Sequence, residues 1–344
     1  MNEKKILLLN PPGDKLYSRD KYCTSVSKAS YYWAPVDLLV LSGILHGKYS
    51  LKVLDAIIEK KSPGTAYRDI VAYSPDVIIS LTSSATWKMD FKFLKDVKKA
   101  VNCRIVLSGG IALLQGRYIL ESNDFIDACL LDFTTKEIVN YIESIDGVRN
   151  MIYRSGDKIV EAAGKVEEGF SIPVPRHELF PIKKYNYPVS IYHPSTCLIA
   201  SLGCSHKCSF CVPATIPYRV RNIDNTIDEL KYIRSIGIRE VVFQDSTFSA
   251  DKEHARRLCA RMIAEKIGLS WVCLTRVDSV DEELLALMKE AGCHTVEFGV
   301  ESGDDATLAR VNKGTTKEDV RNAFKLCKRA GIRTCAFVIL GLPG

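Results

Sequence analysis

Leu202-Gly203-Cys204-Ser205-His206-Lys207-Cys208-Ser209-Phe210-Cys211 gathers three of the chain's 12 cysteines on one short loop, in the spacing Cys-x3-Cys-x2-Cys. Soft thiolates suit iron–sulfur clusters and zinc alike. Three on one tight loop can hold three corners of a cubic [4Fe–4S] cluster, leaving the fourth iron open to another ligand. Zinc is the competing reading, because His206 would complete a Cys3His set. Yet Cys204, His206 and Cys208 follow one another too closely, whereas structural zinc sites draw on two separate ligand pairs. The other cysteines (Cys23, Cys103, Cys129, Cys197, Cys259, Cys273, Cys293, Cys327 and Cys335) are scattered. Several lie in apolar stretches, where a thiol acts as a small hydrophobe. With no secretion signal, a disulfide framework is not expected.

Outward from this loop, strand-like runs alternate with helical ones. Strands are expected over Thr196 to Ser201, Glu240 to Phe243, Ser270 to Leu274, Thr295 to Val300 and Arg333 to Leu340. Between them, Ile227, Leu230 and Ile233 have helical spacing, and Gly237 supplies a left-handed stop. Thr316 and Asp319 form a capping pair ahead of the apolar stripe Val320, Ala323, Phe324 and Cys327. Gly331 ends that helix, as Gly292 ends the one before it. Repeats of this kind build a parallel barrel or part of one, with chemistry at the carboxyl ends of the strands. Gly341-Leu342-Pro343-Gly344 follows the last strand with no helix to cover it, so the natural protein is expected to be longer.

The first half alternates too. Ile6 to Leu9, Leu51 to Leu54, Val77 to Ser80, Arg104 to Leu107 and Ala128 to Leu131 read as strands. Leu38 to Leu45, Ala66 to Tyr73, Asp90 to Ala100 and Thr135 to Ser144 read as helices. Near-continuously apolar strands predict a parallel sheet covered on both faces, doubly wound in the Rossmann or flavodoxin manner. Its ligand would sit beyond the strands' carboxyl ends, at the switch point. From Gly147 to Pro194 the texture changes to Pro, Gly and charge. This reads as a linker with one small hairpin at Ser155-Gly156-Asp157. The division is therefore 1–146, a linker over 147–194, and 195–344.

Composition is that of a globular protein, 47% hydrophobic and 26% charged, with a net charge of +6 and no dense Lys/Arg run. Short pairs such as Lys60-Lys61 and Lys183-Lys184 read as solvated surface, so a nucleic-acid partner is not expected. No apolar run approaches the roughly 20 residues of a membrane span. The amino-terminal apolar run breaks at Pro11-Pro12-Gly13, as a strand and not a signal peptide does. A cytoplasmic location is expected by default.

The Cys-x3-Cys-x-aromatic-Cys loop after a first barrel strand resembles the signature of the radical S-adenosylmethionine (SAM) superfamily, and the resemblance extends from Thr196 to Gly344. It implies a partial (β/α)6 barrel of TIM type, with Cys204, Cys208 and Cys211 holding the cluster and SAM on the open iron. Val242-Phe-Gln-Asp-Ser-Thr-Phe248 looks like the second-strand segment that positions the SAM amino group. Where many members read Gly-Gly-Glu, this chain has Gln244-Asp245-Ser246, a departure common in the cobalamin-dependent branch. Trp271 to Asp278, with Arg276, resembles the third strand. Glu297-Phe-Gly-Val-Glu301-Ser302-Gly-Asp304 resembles the fourth, whose Glu-Ser contacts the SAM ribose or carboxylate. Ile339 to Gly344 resembles the fifth strand and the loop near adenine. By resemblance the SAM contacts are Phe210, Gln244, Asp245, Ser246, Arg276, Glu301 and Ser302.

The first half resembles the cobalamin-binding domain of that branch. Asn10, Pro11 and Pro12 after strand one, Thr82, Ser83 and Trp87 beneath the corrin, and Ser108, Gly109 and Gly110 near its tail are the cobalamin contacts implied. Two family features are missing. The Gly-Glu-Gly-Glu stretch is replaced by Leu131-Asp132-Phe133-Thr134-Thr135. No Asp-x-His-x-x-Gly motif supplies a cobalt histidine, which is usual in this branch.

The resemblance implies methyl transfer to an unactivated carbon or a phosphinate, with methylcobalamin as donor, a second SAM to regenerate it, and a 5′-deoxyadenosyl radical to abstract hydrogen. The substrate would be a small molecule or peptide and the electron donor a flavodoxin or ferredoxin. Cyclisation or rearrangement is the neighbouring alternative. A methylthiotransferase would need Cys23, Cys103 and Cys129 for a second cluster, although they lie far apart. A non-catalytic cobalamin- or metal-binding sensor is the alternative outside enzymology.

Overall fold

The computed structural model describes residues 3–19, 25–27, 32–145, 147–162, 164 and 167–343. Cys23 and Gly344 lie outside the described residues. One compact unit takes the residues up to 164 together with Ile172–Asn186; a second takes 167–171 and the chain from Tyr187 onward.

In the first unit the five expected strands are β1 (Lys5–Asn10), β2 (Ser50–Asp55), β3 (Val77–Leu81), β4 (Arg104–Ser108) and β5 (Ala128–Leu130). They pair in parallel in the order β2-β1-β3-β4-β5. Ile6, Leu7, Leu8 and Leu9 are all buried, as a strand covered on both faces requires. Because β2 lies on one side of β1 and β3 on the other, the winding reverses between β1 and β3. A crevice opens at the carboxyl ends there in sheets of this kind.

Helices α1 (Val36–Leu45), α2 (Pro63–Tyr73), α3 (Trp87–Ala100), α4 (Gly110–Ser122) and α5 (Glu137–Ile142) link the strands. α2 starts as its residues dictate, with Pro63 in the first turn and the Ser62 hydroxyl accepting from Thr65 N–H. α4 is absent from the sequence reading. Its start at Gly109-Gly110 looks like a loop, and its pattern is broken by non-helical Gln115. Gly116 then allows close packing, since a Cβ there would stand 2.9 Å from Ile152 Cδ1.

The stretch 147–194, read as a linker, contributes to both units. Its hairpin forms about Gly156 (φ +57°), and its strands β6 (Met151–Ser155) and β7 (Lys158–Ala162) extend the sheet antiparallel from β5. Ile172–Asn186 belongs to the first unit. There the Pro173 carbonyl comes so close to α1 that a Cβ on Gly43 would stand 2.3 Å from it.

The second unit runs β8 (Ser195–Leu198), α6 (Ile223–Ser235), β9 (Glu240–Phe243), α7 (Lys252–Ala264), β10 (Ser270–Thr275), α8 (Glu282–Glu290), β11 (Cys293–Glu301), α9 (Asp305–Arg310), α10 (Lys317–Arg329) and β12 (Arg333–Val338). The five strands are parallel and stand in chain order, the winding of a strand–helix repeat that turns in one sense. Asn222, Asp251, Asp281 and Thr316 each cap the helix that follows, and Thr316 with Asp319 completes a capping box. Trp271 is fully buried, donates Nε1–H to the Ala291 carbonyl at 2.8 Å, and packs edge-on against Phe243. The first strand ends earlier than the sequence suggests. After Leu198 the chain leaves the sheet, and Ser201–Leu202 pairs antiparallel with Arg219–Arg221. That departure carries the chain into the cysteine loop. On α10, Ala323 and Cys327 are buried, while Val320 and Phe324 are half-buried.

Candidate functional site

The cysteine loop is held by backbone contacts on two sides. Gly203 has φ +78°, and a Cβ there would stand 2.3 Å from the Pro217 carbonyl, so only glycine fits. Cys204 N–H donates to the Ile216 carbonyl at 3.4 Å and Cys211 N–H to the Cys208 carbonyl at 3.2 Å. From the other side, Ser209 N–H donates to the Val311 carbonyl at 3.0 Å, and Asn312 Nδ2 donates to the Lys207 carbonyl at 2.9 Å. The turn after α9 therefore docks on the loop, more than 100 residues distant in sequence.

All three cysteines line one cavity of about 140 Å³, together with His206, Phe210, Ser246, Thr247, Arg276, Glu301, Lys313 and Phe337. It opens at the carboxyl ends of β9, β10 and β11, where strand–helix repeats carry their chemistry. Among the described residues no three His, Cys, Asp or Glu side chains converge on a single ion. A cubic cluster takes each thiolate on a different iron, and all three cysteines border this one cavity.

Two ion pairs charge this cavity. Arg276 makes a two-point pair with Asp278, Nε to Oδ1 at 2.9 Å and Nη2 to Oδ2 at 2.7 Å, while Nη1 lies 3.9 Å from Cys208 Sγ. Burial pushes the Asp278 carboxyl up, but the Arg276 guanidinium outweighs it and holds the group below the usual range. His206 Nδ1 stands 3.9 Å from Cys204 Sγ. Burial, and then the nearby Arg276 charge, lower the His206 pKa. Lys313 Nζ donates to Glu301 Oε1 at 2.8 Å, with both side chains buried. Glu301 itself has φ +63°, a left-handed conformation unusual for a residue with a side chain. It coincides with a register shift between Gly299 and Glu301.

Of the residues read from the sequence, Phe210, Ser246, Arg276 and Glu301 line the cavity with the cysteines. Asp245 is turned elsewhere: its buried carboxylate accepts from Ala200 N–H at 3.2 Å and from the Ser201 hydroxyl, tying down the segment that leads into the cysteine loop. Gln244 N–H donates to the Leu198 carbonyl at 2.8 Å. The Ser302 hydroxyl accepts from Asp304 N–H at 3.1 Å at the start of α9. The sequence reading missed Lys313 and Thr247. The Asn312-Lys313-Gly314 turn, with φ +53° at Asn312 and +72° at Gly314, is the local signal that the chain doubles back there.

In the first unit, Asn10 ends β1, Ser108 ends β4, and Thr82 and Ser83 follow β3. Pro11, Pro12, Gly109 and Gly110 are buried, and Trp87, at the start of α3, is 37% exposed. Gly109 has φ +121°, and a Cβ on it would stand 2.2 Å from the Thr82 carbonyl. The glycine thus serves the approach of two backbone segments. Beneath these loops lies a buried network the sequence did not reveal. Arg19 pairs with Asp90 at 2.8 Å and donates to Asn10 Oδ1 and the Pro11 carbonyl, each at 3.0 Å. Asn10 Nδ2 in turn donates to Asp55 Oδ1 at 3.0 Å, and Tyr185 OH donates to Asp55 Oδ2 at 3.0 Å. Asp90 also accepts from Thr82 at 3.0 Å and Thr86 at 2.6 Å. Burial pushes the Asp55 carboxyl up to about 6, against the pull of these donors. Cys103 and Cys129 are buried in the apolar core of this unit.

A thiol-lined cavity at the carboxyl ends of a sequentially wound parallel sheet defines a cofactor-binding α/β protein whose chemistry sits on a cysteine loop. Residues 198–344 match the model of the Radical SAM superfamily. Over its whole length the chain is 26% identical to an uncharacterized methyltransferase of Pyrococcus horikoshii, spanning 75% of that protein. Over 171 residues, 48% of this chain and 32% of the relative, it is 32% identical to the cytidylyl-2-hydroxyethylphosphonate methyltransferase of Streptomyces wedmorensis. The fold is shared with the radical SAM methyltransferase TsrM of Kitasatospora setae, solved with cobalamin and a [4Fe–4S] cluster bound. The TM-score is 0.77 at 20% identity, covering 99% of this chain and 70% of that one. Among the described residues no helix is long and apolar enough to cross a membrane.

Proposed function

We propose that this chain is a cobalamin-dependent radical SAM methyltransferase acting on an unactivated carbon or a phosphinate. The observation that carries the reading is the single cavity shared by Cys204, Cys208, Cys211, Arg276 and the Lys313–Glu301 pair. Methyltransferase relatives and the TsrM fold support the choice of reaction. On this reading the second unit is a partial (β/α)6 barrel of TIM type. The first is a doubly wound cobalamin-binding domain, with Asn10, Pro11, Pro12, Thr82, Ser83, Trp87, Ser108, Gly109 and Gly110 about the corrin.

When bound, the cluster, SAM and cobalamin supply the electron, the radical and the methyl group. The chain's own residues bind, orient and exclude water. Cys204, Cys208 and Cys211 ligate three irons. Glu301, Ser246 and Phe210 border SAM, and Arg276 sets the charge beside Cys208. Gln244, Asp245 and Ser302 act from behind, by holding strand ends and the cysteine loop in place. The substrate is a small molecule or peptide, and a cytoplasmic flavodoxin or ferredoxin delivers the electron.

Anaerobic purification, reconstitution with iron, sulfide and hydroxocobalamin, desalting and one optical spectrum test the reading. Broad thiolate-to-iron absorption with retained corrin bands is expected. Iron–sulfur absorption without corrin bands would remove cobalamin from the proposal. Zinc bound in place of iron would overturn it.

A further inference from the structure

A groove of about 890 Å³ lies in the second unit between the start of α6 and one face of α7, and it shares no residue with the cysteine cavity. Its third wall is the short strand Gly169–Phe170, which pairs in parallel with Val220–Arg221. The walls are fixed to one another. Arg221, fully buried, pairs with Glu229 and donates from Nη2 to the Asn225 carbonyl at 3.1 Å, which holds the first turn of α6. Asn222 N–H donates to the Phe170 carbonyl at 2.9 Å. A rigid concave space of this size suits a small molecule.

Several donors on these walls have no partner among the described residues. His254 is 5% exposed, yet its ring makes no hydrogen bond and its Nε2 is buried. Buried polar atoms are ordinarily paired, so an orphaned imidazole on the wall of a groove needs a reason. Burial, against the pull of Asp251, holds the His254 pKa below its ordinary value, and Arg257 adds to the shift. The ring is therefore neutral near pH 7 and has one N–H to give. Arg257 follows at i+3 on the same face of α7, is exposed, and makes neither an ion pair nor a hydrogen bond. The N–H groups of Ile223 and Asp224, the first of α6, are unmet as well. Of the two carboxylates on the walls, Asp224 is taken up by Arg261 at 2.7 Å, and Glu167 is unpaired.

We propose that this groove binds a small phosphate monoester, its phosphoryl group held by Arg257, the His254 ring N–H and the first N–H groups of α6. A phosphoryl group turns three oxygens toward donors arriving from two helices, and a helix start beside a guanidinium favours its charge. A carboxylate has only two oxygens for the same donors. Glu167 repels a second anionic group and accepts from a hydroxyl or ammonium on the ligand. Phe170, with the Arg219 guanidinium 5.3 Å from its ring centre, offers an aromatic face to the organic part. This ligand is additional to the cofactors proposed above, and its site does not depend on them.

The test is titration of the anaerobically reconstituted chain with inorganic phosphate and with methyl phosphate, followed through the nuclear magnetic resonance signals of ring-labelled histidine. His254→Gln identifies the His254 signal by its loss. A saturable shift of that signal is expected with both probes. Arg257→Gln, at an exposed position outside the core, should weaken both by roughly 10- to 100-fold, as the loss of one charge-assisted contact requires. The absence of a saturable shift overturns the proposal. So does an equal shift in sodium chloride at matched ionic strength, which would be screening alone. An affinity unchanged in Arg257→Gln overturns it too, and binding of inorganic phosphate without methyl phosphate overturns the monoester assignment.

Discussion

Arg276 Nη1 stands 3.9 Å from Cys208 Sγ, and the same guanidinium is gripped from behind by both oxygens of Asp278. One thiol of the loop thereby faces a fixed positive charge, delivered from the end of β10 across 68 residues of sequence.

Positive charge and N–H donors beside a cluster sulfur stabilise the reduced, more negative state. Arg276→Gln should lower the cluster midpoint potential by about 20–60 mV, the equivalent of one modest hydrogen bond in a one-electron couple. A potentiometric titration followed by electron paramagnetic resonance reads this directly. An unchanged midpoint would mean the contact is not made in the loaded protein.

Alanine at Cys204, Cys208 or Cys211 should each abolish the iron–sulfur absorption. Alanine at Cys327, which is fully buried on α10, should leave it intact and cost about 1 kcal/mol of stability. Iron content and denaturant midpoints of the four variants separate ligand cysteines from packing ones.

Gly109→Ala meets two penalties at once: φ of +121° and a Cβ placed 2.2 Å from the Thr82 carbonyl. Destabilisation of about 3 kcal/mol or more is expected, with the β3–β4 loops displaced. Urea unfolding of the full chain checks it, and a midpoint within error of wild type would contradict the geometry.

Asp55 gives a pH signature. Its folded pKa of about 6 lies above the ordinary 3.8, chiefly through burial. Its contribution is therefore fully present below 3.8 and is lost as pH rises through about 6. Relative to Asp55→Asn, the wild type should lose on the order of 3 kcal/mol between those limits and stay level above them. Parallel pH profiles for the two proteins in chemical denaturation would refute this.

Much of the fold was legible because its cause is local. Apolar runs such as Ile6 to Leu9 and Glu240 to Phe243 needed only burial on both faces, and the Thr316–Asp319 cap lies within one helical turn. α4 escaped because Gly109, read as a loop, serves a neighbouring carbonyl that the local pattern does not contain. The hairpin at Gly156 was visible, but its joining the parallel sheet at β5 was not, since pairing partners are chosen by the whole sheet.

The candidate site divides the same way. Cys-x3-Cys-x2-Cys is a local spacing, so the chain alone determined which thiols share a loop. Tertiary structure decided that Lys313 from the turn after α9 meets Glu301, that Gly299 makes room for them, and that Arg276 reaches Cys208. It also turned Asp245 toward Ala200 and Ser201, and buried Arg19 against Asp90. Covalent spacing sets which residues travel together, whereas the partner of a buried charge is chosen by whatever packing brings opposite charge within about 3 Å and excludes water.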